Sequence, residues 1–274
     1  MKAAEKVFAP DYQRDRRGWI EFPTNDDKLR SELFPPEAML HPAKANLFLI
    51  EALIEFTSQP GQVVMDIMGG SGSILIAVRL SRRVVAIDLN PVFAGCMRQT
   101  LTNWERPSDG MVLEGNCLDF LPISCHSIIF SPPYSSALKG TGGIVRREQR
   151  LQASLDAYQT RVEQHPANFA NLPAFIYNQK MEEVYKLCAE SLHPGGFLSV
   201  IIKDHIEGGV RIDLGYRVVQ AGIKVGLELY QWHRWQPHGN IFHHIHKAAG
   251  RQVVEDEHIL IFRKPGGKEY IHLQ

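Results

Sequence analysis

The chain has 274 residues, 44% hydrophobic and 22% charged, and its 30 Lys plus Arg balance 30 Asp plus Glu to a formal net charge of zero. Such a composition excludes a chain-wide disordered polymer and an overall basic polyelectrolyte, so attraction to an anionic partner has to come from a local face. Cys96, Cys117, Cys125 and Cys188 form no CxxC pair, which speaks against a zinc site or a disulfide framework and for a reducing compartment. The first residues, MKAAEKVFAPDYQRDRRGW, hold no apolar core of leader length, and no apolar run reaches the ~18 residues of a membrane span. The expectation is a soluble cytoplasmic protein with no membrane partner and no metal; the sequence leaves the oligomeric state open.

Residues 1–40 are charged and carry Pro10, Pro23, Pro35 and Pro36, and read as an irregular N-terminal arm with one short helix. Residues 41–274 then form a single catalytic domain. In 43–58, AKANLFLIEALIEFTS, apolar groups recur at helical spacing until Pro60-Gly61 ends the helix. The run QVVMDIM predicts a buried parallel strand, and Gly69-Gly70-Ser71-Gly72-Ser73 a turn into the helix ILIAVRLS. A second strand, RRVVAIDLN (82–90), precedes a helix over 91–104; MVLEGN (111–116) and HSIIFSPPY (126–134) predict the third and fourth strands. The polar stretch 135–172 is too long for an ordinary loop and predicts an inserted lid or target-recognition element over 135–178. A helix over 176–192, a fifth strand FLSVIIKD (197–204), a helix near 213–222 and a closing hairpin of KVGLELYQWHRW and HILIFRK complete the chain. This alternation predicts a doubly wound α/β fold, a mostly parallel seven-stranded sheet with helices on both faces and a C-terminal antiparallel hairpin.

In such a sheet the ligand site lies beyond the carboxyl ends of the strands. The glycine turn, Asp88, Asn116, Ser131-Pro132-Pro133-Tyr134 and Lys203-Asp204 all fall there. The turn is not GxGxxG, and Asp66 precedes it; a carboxylate there repels phosphate and suits a cationic amine. Asp88, ending the next strand, is placed to accept both ribose hydroxyls of an adenosine. The plainer alternative is a simple turn with Asp88 as a helix N-cap.

The tetrapeptide Ser131-Pro132-Pro133-Tyr134 stiffens the backbone and removes two N–H donors, leaving carbonyls to accept from a ligand's amino group. Ser131 adds a hydroxyl acceptor and Tyr134 an aromatic face. An exocyclic amine of cytosine or adenine is a poor nucleophile because its lone pair is conjugated into the ring. Acceptors on its hydrogens favour a pyramidal nitrogen and take up charge as a methyl group arrives. The plainer alternative is a Pro-Pro turn followed by a core tyrosine.

With these motifs in place, the sequence resembles the S-adenosylmethionine-dependent amino-directed DNA methyltransferases, which make N4-methylcytosine or N6-methyladenine. DIMGGSGS is similar to their DPFxGSGT cofactor motif, with Ile67 and Met68 at the usual Pro and Phe; SPPY is similar to their catalytic motif, in the form commonest among cytosine-N4 members. His41-Pro42-Ala43-Lys44 resembles the segment that holds the methionine moiety, EGNCLDFL a strand end with Asn116 in place of an Asp, and HPGGFLSVIIKD a later strand. The similarity spans 38–134 and 190–230.

The resemblance implies a class I, Rossmann-like methyltransferase acting on the exocyclic amino group of a DNA base flipped out of the duplex, cytosine N4 ahead of adenine N6, in the manner of a restriction-modification enzyme. It implies Ser131, Pro132, Pro133 and Tyr134 as catalytic, and His41, Pro42, Lys44, Asp66, Met68, Gly69, Gly70, Ser71, Gly72, Asp88, Asn116 and Ser131 around S-adenosylmethionine. Tyr134, Lys139, Arg146, Arg147 and Lys203 are the expected substrate contacts, with double-stranded DNA as the partner. An RNA base, a protein glutamine or a small molecule are alternative acceptors, and a non-catalytic accessory subunit or plain NAD binding are the other readings. The segment 231–247, with five His and two Trp, is expected to be a loop that binds nucleic acid or lines the pocket.

Overall fold

A computed structural model describes residues 6–41, 44–133, 165–237, 248, 250 and 252–266. The helix α1 (Asp27–Leu33) and a 3-10 turn (Pro36–Leu40) precede α2 (Leu47–Thr57), which starts where the Asn46 side chain accepts from Leu49 N. Then follow β1 (Val63–Asp66), a 3-10 turn (Ser73–Leu75), α3 (Ile76–Arg79), β2 (Arg83–Asp88), α4 (Pro91–Asn103), β3 (Gly110–Glu114), α5 (Cys117–Phe120) and β4 (Cys125–Phe130). The expected insertion over 135–178 lies largely outside the described residues, which resume at 165; from there come a 3-10 turn (Phe169–Asn171), α6 (Ala174–Ser191), β5 (Leu192–Ile202), the small hairpin β6 (His205–Glu207) and β7 (Val210–Ile212), α7 (Leu214–Lys224), β8 (Glu228–Trp235) and β9 (Glu257–Arg263).

Seven strands form one sheet in the order β3-β2-β1-β4-β5-β9-β8. The first five are parallel; β9 runs against both β5 and β8. The expected doubly wound sheet and closing hairpin are therefore present, with the last strand inserted between the fifth strand and its own hairpin partner. The centre is apolar on both faces: Val64, Met65, Ile128, Ile129 and Leu260 have no exposed surface. The chain crosses over beside β1, so β2 and β3 lie to one side and β4 to the other, and the crevice at their carboxyl ends opens at that switch.

Residues 8–40 are bound into the same body. Phe8, Ile20, Phe22, Phe34 and Ala38 sit in the core cluster with α2. Ile20 N donates to Arg234 O at 2.8 Å and the ring of Phe22 meets Trp235 edge-on. The segment expected as a loop that binds nucleic acid or lines the pocket is a strand over 231–235, where His233 and Trp235 serve internal packing and Trp232 stays partly exposed beside His258. Trp235 is buried, His233 lies 5.2 Å from the ring of Phe8, and Trp232 Nε1 donates to His258 Nδ1 at 3.0 Å. This is a correction with a plain cause: alternating side chains of a strand place these rings against the N-terminal segment and β9. His238, His243, His244 and His246 lie outside the described residues.

Candidate active site

At the carboxyl ends of β1 to β5 a cavity of about 570 Å³ gathers most of the expected residues. Asp66, Met68, Gly69, Gly70 and Ser71 line it from the first strand and turn, and Asp88 and Asn116 from the next two strands. His41 and Lys44 line it from the segment before α2, and Ser131, Pro132 and Pro133 from the end of β4. Gly72 and Lys203 do not line it. Pro42, Tyr134, Lys139, Arg146 and Arg147 lie outside the described residues.

The turn is shaped by what a side chain would hit. Gly70 has φ +48, and a Cβ there would stand 3.0 Å from His41 Nε2. Gly72 has φ +81, and its Cβ would meet Met97 Cγ at 2.9 Å. Both positions need glycine, the first because backbone and imidazole face each other across the cavity wall, the second because the turn packs on α4. His41 in turn rests on Phe93, ring centroids 4.5 Å apart. Lys44 Nζ reaches back to the carbonyls of Met39 and His41 at 3.3 and 3.4 Å, tying its own segment to the 3-10 turn before it.

Two carboxyl groups face this turn. Asp88 Oδ2 accepts from Gly70 N at 2.6 Å and Oδ1 from Asn90 N at 2.8 Å. Asp88 is not the N-cap of α4; Asn90 is, accepting from Val92 N. Asp66 Oδ1 accepts from Met68 N at 2.9 Å. Burial pushes the Asp66 carboxyl up to about 7, against the Met68 bond and with added repulsion from Asp88. Burial likewise lifts Asp88 to about 6 against its two backbone bonds. Each oxygen keeps a lone pair, so both acids can still accept from a ligand, and a cation or hydroxyl donors would offset their desolvation. Asn116 caps α5, its Oδ1 accepting from Leu118 N at 3.2 Å.

Among the lining residues that the sequence did not single out are Asn168 and Phe169, just before α6, Ile201 on β5, and Glu257. Glu257 begins β9, which is antiparallel to β5, so its first residue falls at the site end of the sheet. Trp235 Nε1 donates to Glu257 Oε2 at 3.1 Å, and burial raises this carboxyl despite Lys203 and that bond. An acid opening the apolar run HILIF was the available signal, but the strand order that brings it to the cavity was not.

Asp204, at the sheet edge, is a structural acid. It accepts from Arg211 Nε at 2.7 Å and Leu214 N at 2.8 Å, and faces His258 Nε2 at 3.0 Å. Arg211 also spans to Asp256. Asp204, Asp213 and His258 come within metal-binding reach of one another, but Asp204 is engaged as above and Asp213 caps α7 through Tyr216 N.

This fold, a mostly parallel seven-stranded sheet with an antiparallel seventh strand inserted and a glycine-turn cavity at its switch point, is that of the class I methyltransferases. Residues 7–96 match the family model of the N6/N4 DNA methylases, which supports the resemblance over the His41 segment, the glycine turn and Asp88; the match ends before Ser131-Pro132-Pro133-Tyr134. Among solved structures, TrmN from Thermus thermophilus is 16% identical over 84% of this chain and 52% of its own, at a TM-score of 0.50, so the chain spans about half of that protein. A methyltransferase from Pyrococcus furiosus is 14% identical over 81% of this chain and 84% of its own, at 0.46. A putative sarcosine dimethylglycine methyltransferase from Galdieria sulphuraria is 15% identical over 88% and 85%, at 0.48. No curated protein sequence matches the chain. Among the described residues no helix is long and apolar enough to cross a membrane.

Proposed function

We propose that this chain transfers the methyl group of S-adenosylmethionine to the exocyclic amino group of a DNA base, cytosine N4 in preference to adenine N6. One observation carries the reading: the glycine turn with Asp66 and Asp88, and the Ser131-Pro132-Pro133 corner, line a single cavity. The residues fit the cofactor. The turn lacks the Cβ that would close it at Gly70, and the buried Asp66 and half-buried Asp88 carboxyls keep acceptor capacity beyond their backbone bonds.

When bound, S-adenosylmethionine supplies an electrophilic methyl group on a sulfonium. Asp66 and the turn hold the amine of its methionine end, Asp88 accepts from the ribose, and Asn116 meets the adenine edge. Ser131 Oγ and the Pro132 carbonyl accept from the amino group of the flipped base. They orient its lone pair and stabilise the positive charge that grows on nitrogen. The stacking partner in this reading is Tyr134, and the basic groups Lys139, Arg146 and Arg147 meet the phosphates. No cysteine nucleophile is required, since nitrogen attacks directly, and all four cysteines are buried.

The test is methyl transfer from labelled S-adenosylmethionine to duplex DNA and, separately, to total RNA, with products digested to nucleosides and identified by mass. Methylated deoxycytidine is the expected product. Methylated deoxyadenosine would change the base, label in RNA alone would change the polymer, and label in neither would overturn the reading.

A further inference from the structure

Arg30 does not line the cavity, yet among the described residues it is the largest fully buried side chain, 1% exposed. A guanidinium removed from water has to be matched by acceptors, and its planar fork can hold several at fixed angles. Here Nη1 donates to Ser73 Oγ at 3.0 Å and reaches Ser71 Oγ at 3.4 Å. Nη2 donates to Asp26 Oδ2 at 3.0 Å and to the Ala45 carbonyl. Asp26 Oδ2 also accepts from Leu47 N at 2.9 Å, at the start of α2, and Ser73 Oγ donates to Ala45 O at 3.2 Å. One buried cation thus joins three pieces of chain distant in sequence: α1, the segment leading into α2, and the glycine turn. The last two carry His41, Lys44, Ala45, Gly70 and Ser71, which face the cavity.

We propose that Arg30 is a positioning residue for the cofactor site, holding the glycine turn against the Lys44–Asn46 segment so that the two walls keep the spacing S-adenosylmethionine requires. This rests on the functional reading above. Arg30 acts through Ser71, Ser73 and Ala45 and touches neither cofactor nor base. Its own segment, residues 24–40, is therefore a working part of the methyl-donor pocket. Lysine at this position keeps the charge but offers a single point donor, which cannot span Ser73, Asp26 and Ala45 at once.

The experiment is calorimetric titration of the full chain with S-adenosylmethionine and with S-adenosylhomocysteine, for wild type, Arg30→Lys, Ser73→Ala and Asp26→Asn, far below each variant's unfolding midpoint. Arg30→Lys is expected to weaken both ligands by about tenfold or more, the scale of one lost charge-assisted hydrogen bond, with one site per folded chain. Ser73→Ala, which removes one acceptor at the cavity wall and leaves Arg30 its other partners, is expected to weaken them severalfold, and Asp26→Asn, which breaks the ion pair to Arg30 away from the cavity, is expected to do the same and carries the test if Arg30→Lys does not fold. A lower unfolding midpoint with unchanged affinity in every folded variant would mean a merely structural role and overturn the inference. If wild type binds neither ligand, the functional reading falls and the inference with it.

Discussion

Asp88 Oδ2 and Gly70 N are 2.6 Å apart, and this bond links the end of the second strand to the tip of the glycine turn. The carboxylate therefore has two tasks: it fixes the turn, and its remaining lone pairs face the cavity. Asp88→Asn keeps an acceptor oxygen but loses the charge, and should weaken S-adenosylmethionine binding by about 1.5–3 kcal/mol, the range for hydrogen bonds to charged groups. The pH dependence has a definite sign. Burial lifts the Asp88 carboxyl to about 6, so ionised acceptor is lost as pH falls below that value, and affinity should drop between pH 7 and 5. Calorimetry across that range checks this, and a slope that persists in Asp88→Asn would assign the titration to another group.

Asp66 makes the free protein pH-sensitive in the opposite direction from an ordinary salt-bridged acid. Its folded carboxyl sits near 7, above its unfolded value, so the folded state holds a proton that the unfolded state has released. Stability is then greatest at low pH on this account and declines as pH rises from about 4 to about 7. Asp66→Asn removes its share of the decline, leaving the smaller one from Asp88, and should make the ligand-free protein more stable at pH 8, by ~1.4 kcal/mol for each tenfold rise in proton affinity that it abolishes. The same substitution should weaken cofactor binding, because the amine loses its counter-charge. Denaturant unfolding at pH 5 and pH 8, with and without ligand, separates the two effects.

Gly70→Ala places a methyl 3.0 Å from His41 Nε2 on a backbone at φ +48. The strain is on the order of 1–3 kcal/mol, small beside the loss of cavity shape. Cofactor affinity should fall far more than the unfolding midpoint. The double variant with His41→Ala, which opens the space, should recover part of the affinity; no recovery would mean that φ, not the imidazole, sets the constraint.

Asp204→Ala should act on the fold. It strips a buried partner from Arg211 and leaves Leu214 N and His258 facing a void, a loss of about 3–5 kcal/mol for a broken buried pair. Burial alone would raise the Asp204 carboxyl, but bonds from His258 and Arg211 outweigh it and hold the group well below the usual carboxylate range. Its contribution is thus present above about pH 4 and is lost on further acidification. Thermal unfolding of the variant checks the loss, and cofactor affinity of the folded fraction should be unchanged.

Much of the cavity was readable because its parts are local. A β-branched run, two glycines and an acid at a strand end occur within one strand–turn–helix–strand unit, and Asp66, Gly70 and Asp88 need no distant contact to be placed together. Ser131-Pro132-Pro133 was readable for the same reason. Glu257 was not, because it reaches the cavity only through the insertion of β9 between β5 and β8, and Ile201 was not, because it depends on the pairing of β5 with β4 across a long stretch of chain; no local pattern encodes either. Arg30 was hidden by type: a charged residue in a polar, proline-rich stretch signals solvent, and its burial depends on acceptors at Asp26, Ala45 and Ser73. The tryptophan and histidine pattern of 231–235 misled in the other direction, because rings suited to stacking on bases are equally suited to closing a core.

The N-terminal segment is held at both ends of the chain's history. Lys6 O accepts from Gln231 Nε2 across 225 residues, and Ile20 pairs with Arg234 on β8. Such contacts form late, since loop closure over that span is entropically costly and slows folding. On a ribosome the first forty residues emerge long before β8, and wait for it. Arg30 belongs to that segment, yet its own partners Asp26, Ala45 and Ser73 all lie within the first 73 residues. The contacts that set the glycine turn are therefore close in sequence, whereas those that anchor the N-terminal segment to β8 span most of the chain.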